Sequence, residues 1–249
     1  MKELVIDINA DVAEGIGNER ELMPYISSCN ICCGAHAGNA RIMEETIQIA
    51  TDNEVTIGAH PSYPDKTNFG RIPMEISQEE LINSIRSQLD LLFNLTAKQH
   101  TAVSYIKPHG ALYHQAANKI ETAELLITIL KEYDKQLVLL GLAGSAMQQA
   151  CIQSNISFAA EAFADRAYNA DGSLVSRKEP GAVYHTIKQV WPQVSNIITK
   201  QRILSNQQDV HIHADSICFH GDTANAIALV KQTNTLLKQH HITLKPFAR

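Results

Sequence analysis

The sequence predicts an α/β protein, a single (β/α) barrel of about seven strands over residues 1–249. Three observations lead there. Short apolar runs alternate with amphipathic segments from end to end, the pattern of a mostly parallel sheet with helices packed outside it. About seven such units fit the chain, whereas a usual open sheet has five or six strands. A dense polar cluster follows nearly every apolar run, and in a barrel those points converge on one mouth. The pattern leaves open whether closure takes seven or eight strands. No Pro/Gly/Ser linker, fixed-period repeat or low-complexity tract marks a second domain.

The strands are expected at 4–9, 28–33, 55–59, 103–107, 137–142, 157–162 and 216–219. A first helix at about 39–51 sets Met43, Ile47 and Ala50 on one face. The next opens on Ser77-Gln-Glu-Glu80, a capping box whose side chains satisfy orphan N–H groups, and continues with Ile82, Ile85, Leu89 and Leu92. Helical spacing recurs in Ala123, Leu126, Ile127 and Leu130, and again in Met147, Ala150 and Cys151. A further helix carries Val183, Ile187, Val190 and Val194, and Pro192 should kink or divide it. The last holds Ala226, Leu229, Val230 and Leu237. Gly-Leu-Ala-Gly-Ser (141–145) lacks the ending of a phosphate-binding Walker loop and reads as a tight strand-to-helix turn. Stretches 65–76 and 165–181 have no sustained period, and loops of that length in a compact domain are functional or disordered.

The 45% hydrophobic and 19% charged side chains exclude a disordered or collagen-like chain. Twenty-one Lys+Arg against 26 Asp+Glu leave −5, with no basic stripe for nucleic acid. No run approaches the roughly 18–20 apolar residues of a membrane span, and no signal peptide opens the chain, so a cytoplasmic protein is expected. Cys29, Cys32 and Cys33 crowd together, but no second CxxC pair completes a zinc site, so they read as small apolar residues of a buried strand.

The polar clusters carry the functional signal. They are Asn9-Ala-Asp11-Val-Ala-Glu14-Gly15, then His36 to Asn39, His60 to Asp65, Lys107 to Tyr113, Glu161 to Tyr168, and His220-Gly-Asp222-Thr223. A lone histidine at a strand end is usually hydrogen-bonded structure, and Asn39 or Asp222 could simply cap a helix. Six clusters on one rim describe an enzyme site with at least four histidines and several carboxylates. His100, His240 and His241 follow helical segments and are expected in solvent. His185 reads as a helix residue, and His211 and His213 as part of a half-buried strand or its lead-in.

These clusters resemble the LamB/YcsF family, which supplies one of the subunits of bacterial 5-oxoprolinase. The matching stretches are DINADVAEG (7–15), CCGAHAGNA (32–40), GAHPSYPDKTNFGR (58–71), KPHGALYH (107–114), EAFADRAY (161–168), LVSR (174–177) with PGA (180–182), and SICFHGDT (216–223). This chain has Asn39-Ala40 where the family usually has Asp-Pro, Ala13 for a usual Gly, and Ser176 for a usual Pro. The resemblance implies a barrel of the glycoside hydrolase/deacetylase type and ATP-dependent hydrolysis of 5-oxoproline, a five-membered lactam, to glutamate. It implies ATP as co-substrate, shared with two further 5-oxoprolinase subunits, and no nucleic-acid or membrane partner.

On that reading Asp11 or Glu161 is the base toward water. Lys107 and Arg166 hold carboxylate or phosphate, with Asn9, Arg71, Asp165, His220 and Asp222 as further binding candidates. His36, His60 and His109 are catalytic candidates as proton carriers, oxyanion donors or metal ligands. Two rival readings stand beside it. A metal-dependent amidohydrolase or deacetylase without ATP would use a divalent metal on Asp11, His36 and His60. A non-catalytic lactam- or carbohydrate-binding subunit is disfavoured by the density of ionisable residues and the single Trp.

Overall fold

Parallel strands covered on both faces read as short apolar runs, and every expected run is a strand of one closed sheet. The computed structural model describes residues 3–133, 136–205, 208–221 and 225–248. In chain order the first half runs β1 (Leu4–Val12), α1 (Glu19–Leu22), β2 (Ser28–Cys32), α2 (Ala40–Asp52), β3 (Thr56–His60), α3 (Gln78–Lys98), β4 (Val103–Ile106), α4 (Gly110–Asn118), α5 (Ile120–Leu130) and β5 (Val138–Leu142). The second half runs α6 (Ala146–Ser154), β6 (Phe158–Phe163), α7 (Ile187–Lys200), β7 (Arg202–Ser205), β8 (Gln208–His211), β9 (Ser216–Phe219), α8 (Ala226–Gln239) and β10 (Ile242–Leu244).

The order β1-β2-β3-β4-β5-β6-β9 closes back on β1, a barrel of seven parallel strands. The closing register sets Asp7 opposite Ser216 and Asn9 opposite Cys218. The short β10 pairs with the start of β1, Leu4 to Ile6, where the expected pattern ended without a strand. Ser77 and Glu80 form the expected capping box of α3, and the Asn39 side chain accepts from Ile42 N–H to cap α2.

Two expectations for the 183–213 region need correction. The helix begins at Ile187; Val183 instead makes a bridge with Arg166, and His185 precedes the helix, exposed. Pro192 lies inside α7 without dividing it. Its missing N–H leaves only the carbonyl of Lys188 without the usual partner, and Lys188 and Pro192 are both exposed, so water can take its place. His211 ends β8, which pairs antiparallel with β7 as a two-stranded appendage, and His213 lies beyond it. Gly144 has φ 75° in the tight turn that leads into α6.

Candidate active site

Side chains along a strand point alternately to its two faces, and β1 divides them by chemistry. Ile8, Ala10 and Val12 enter the hydrophobic core, while Asp7, Asn9 and Asp11 make side-chain bonds to other strands of the barrel. Deepest is Asp7, whose carboxylate accepts from Ser27 and Ser28 at 2.6 Å each and from Ser216. Burial outweighs these donors and pushes its carboxyl up to about 6. One step up the strand, Asn9 donates to Ser216 Oγ (2.7 Å) and to Glu161 Oε1 (3.0 Å). Asn30 of β2 donates to both Asn9 and Asp11 at 2.7 Å and accepts from the Tyr105 hydroxyl, also at 2.7 Å. At the top is Asp11.

Lys107, one residue past β4, ties these levels together. Its ammonium lies 3.0 Å from Asp11 Oδ1, 2.9 Å from Glu161 Oε1, 3.3 Å from Asn9 Oδ1 and 3.2 Å from Cys218 Sγ. Burial disfavours its charge, but Asp11, Cys218 and Glu161 together hold its pKa well above the ordinary lysine value. For Asp11 burial is likewise overcome, by His60 and Lys107, and the carboxyl stays well below the usual range. The Asp11 carboxylate and the Lys107 ammonium therefore remain charged in a nearly dry setting.

The histidines crown this floor. His60, the last residue of β3, points Nδ1 at the Lys107 carbonyl (2.8 Å) and Nε2 at Asp11 Oδ2 (3.4 Å). His109 points Nε2 at the Phe69 carbonyl (2.9 Å) and Nδ1 at His60 Nε2 (2.9 Å). His36 stacks on His109 with ring centroids 3.7 Å apart, and its Nδ1 meets Ser62 Oγ at 2.8 Å. Burial first, and then the neighbouring His60, lower His36 to about 3, and His109 shifts the same way.

Glu14 Oε1 lies 3.6 Å from His36 Nε2 and 3.7 Å from His109 Nδ1. It is brought there by Ala13, whose φ of 62° is a left-handed turn, the conformation for which glycine is the easy choice. One oxygen each of Asp11 and Glu14 and one nitrogen each of His60 and His109 lie within 4.8 Å of one another, a group able to hold a metal ion.

These groups open into a cavity of about 560 Å³ lined by Asp11, Glu14, His60, Lys107, His109, Tyr113, Phe163 and His220. The irregular stretches complete its wall. Segment 65–76 is tied down where Gly70 C=O accepts from Ala111 N–H, and it contributes Arg71. Segment 165–181 contributes Arg166, Leu174, Arg177 and Lys178.

The structure sorts the expected residues by position. Asp11, His60, Lys107, His109, Arg71, Arg166 and His220 face the cavity, whereas Asn9, Glu161, His36 and Asp165 stand behind its wall. Glu161 is fully buried, with Lys107, Asn9 and the Tyr113 hydroxyl (2.8 Å) on its oxygens. Arg166 gives its guanidinium to the carbonyls of Val175 (2.6 Å) and Ala182 (3.4 Å). Asp165 holds His220 Nδ1 at 2.9 Å. Asp222 lies outside the described residues. Asn30, Glu14, Arg177 and Lys178 went unread as site residues. The alternation Ser28, Asn30, Cys32, matching Asp7, Asn9, Asp11, was the available signal for Asn30.

The profile of the LamB/YcsF family matches residues 6–249. The chain belongs to the LamB/YcsF family. Among its relatives, the 5-oxoprolinase A-subunit of Haemophilus influenzae (strain PittEE) is 40% identical, covering 96% of this chain and 98% of its own. That of Shouchella clausii is 42% identical over 96% and 97%. The lactam utilization protein of Thermus thermophilus superposes with a TM-score of 0.93 at 29% identity, over 98% of this chain and all of its own. A β-1,4-mannanase aligns with a TM-score of 0.52 at 11% identity over 96% and 99%, a likeness of fold alone. No described helix of this LamB/YcsF protein is long and apolar enough to cross a membrane.

Proposed function

We propose that this chain hydrolyses 5-oxoproline to L-glutamate in an ATP-dependent reaction carried out together with two other subunits. The carrying observation is Asp11, ionised on the cavity wall between Lys107 and His60, beneath a mouth bearing Arg71, Arg166 and Arg177. The names of the relatives support the lactam as substrate. The cavity's volume is in the range of small-molecule sites.

A lactam carbonyl is a poor electrophile and its nitrogen a poor leaving group. Asp11 is the base toward water, but a carboxylate held so acidic is a weak base. It suffices only toward a carbonyl already activated, which phosphorylation of the carbonyl oxygen by ATP would achieve. Lys107 keeps Asp11 ionised and aimed. Glu161, with no access to the cavity, is a positioning residue for Lys107 and Tyr113. Arg71 and Arg177 receive the substrate carboxylate or the phosphoryl group, and Arg166 pins the 165–181 segment that presents Arg177. His220, held by Asp165, is the proton donor to the leaving nitrogen.

The test is 5-oxoproline-dependent release of phosphate and glutamate by the chain alone and by the chain with its two partner subunits. Activity is expected only in the mixture, and Asp11→Asn should abolish it with folding intact. ATP-independent turnover by the chain alone would instead favour the amidohydrolase reading, which the convergence of two carboxylates and two histidines supports.

A further inference from the structure

The His60–His109 pair poses a problem of protons. A carbonyl oxygen only accepts, so the His60 nitrogen facing the Lys107 carbonyl carries a hydrogen, and so does the His109 nitrogen facing the Phe69 carbonyl. In the neutral rings the other nitrogens, His60 Nε2 and His109 Nδ1, both present lone pairs, and they face each other at 2.9 Å. Asp11 Oδ2 lies 3.4 Å from the first and Glu14 Oε1 3.7 Å from the second. Four electron-rich atoms thus converge, all within 4.8 Å of one another, on the wall of the cavity. A cation held among them would turn this convergence of lone pairs into a set of ligands.

We propose that Asp11, Glu14, His60 and His109 bind one divalent transition-metal ion. Ligand bonds of about 2.0–2.2 Å separate neighbouring ligand atoms by roughly 3.0–3.4 Å in octahedral or tetrahedral sites; the His60–His109 and His60–Asp11 pairs stand at 2.9 and 3.4 Å, and the wider pairs, up to 4.8 Å, would draw in around an ion. Two imidazoles with two carboxylates suit zinc, manganese or cobalt better than magnesium or calcium, which prefer all-oxygen shells. The carbonyls behind each imidazole are the supports expected of metal-bound histidines, fixing tautomer and ring orientation. His36, a ligand candidate from sequence, has Nδ1 on Ser62 and a face stacked on His109, so it buttresses the site from behind. An ion here would have coordination positions toward the cavity for a water or an amide oxygen.

The experiment reads metal, not turnover, so its result is independent of the lactam reading. The full-length chain is stripped with a chelator and titrated with Co²⁺, following visible d–d absorption and bound metal by elemental analysis. One equivalent per chain is expected, with His109→Ala and Glu14→Gln weakening binding at least 10-fold while circular dichroism stays unchanged. Folded wild-type protein that binds no stoichiometric Co²⁺, Zn²⁺ or Mn²⁺ would overturn the proposal. So would binding that survives His60→Ala combined with His109→Ala, or imidazole ¹⁵N resonances showing one proton shared by the two rings in metal-saturated buffer.

Discussion

Replacing Lys107 by Met removes the one ammonium between two buried carboxylates, with Asp11 at 3.0 Å and Glu161 at 2.9 Å. Breaking a buried pair by deleting one partner costs about 3–5 kcal/mol, because the remaining charge is left uncompensated. Here two charges are stranded, so the upper end is expected, a large fraction of the roughly 5–15 kcal/mol that holds a domain folded. Adding Glu161→Gln removes one stranded charge and should recover at least about 1.5 kcal/mol.

The pH dependence follows from the shifts. Lys107 titrates higher in the folded chain, so its contribution is present throughout the neutral range and is lost only as pH rises through its folded value. Asp11 titrates lower, so its contribution is present above about pH 4 and is lost as pH falls through its folded value. The wild type should therefore be nearly flat from this pair between about pH 5 and 9. The variant should gain on it with acidification, as Asp11, no longer held ionised by the ammonium, takes up a proton. Urea unfolding followed by Trp191 fluorescence at about pH 7.5 and about pH 5 measures both effects. A loss below about 1 kcal/mol at the higher pH, or no recovery in the double variant, would refute the reasoning.

Three further outcomes are expected. Asp7 is pushed up to about 6 by burial, so it favours the fold at low pH and this contribution is lost as pH rises through 6; the gap is worth about 3 kcal/mol, and Asp7→Asn should flatten the stability curve between about pH 4 and 6. A methyl at Gly58 would overlap the Tyr105 ring that braces Asn30, so Gly58→Ala should cost about 1–3 kcal/mol or more in chemical denaturation, and an unchanged midpoint would mean the ring can yield. Asn39→Ala should cost about 1 kcal/mol through the lost cap of α2, whereas Asn39→Asp should leave thermal stability equal or slightly higher.

The barrel was legible because each of its strands is an apolar run ended by polar residues, and that punctuation marks the strand's exit at the mouth. The capped starts of α2 and α3 were legible for the same local reason. β7 and β10 were not, and β8 only as a strand or lead-in around His211, because these segments lack an apolar run ended by a polar cluster. In the site, Asp11, His60, Lys107 and His109 could be named from their places after strands. What no spacing reveals is which nitrogen of an imidazole faces a carbonyl 47 or 40 residues away. Without that, His36 and His109 could not be told apart as ligand candidates, and Glu14 looked like one more loop acid. Glu161 is the converse case: its position in β6 suggested a reagent, and the fold sets it fully buried behind the cavity wall.

The closing seam between β1 and β9 has a consequence for how the molecule is made. Ser216, which bonds both Asp7 and Asn9, lies more than 200 residues from them along the chain. Contacts between residues so remote are late events, since the intervening loop must be closed before they form. During synthesis the first six barrel strands emerge before β9 exists. Until it arrives, Asp7 lacks one of its three hydroxyls, Lys107 lacks its thiol neighbour, and the buried charges face an open gap. A fragment ending before residue 216 would contain His36, His60, His109, Lys107, Asp11, Glu14 and Glu161, and still have no barrel to hold them in register.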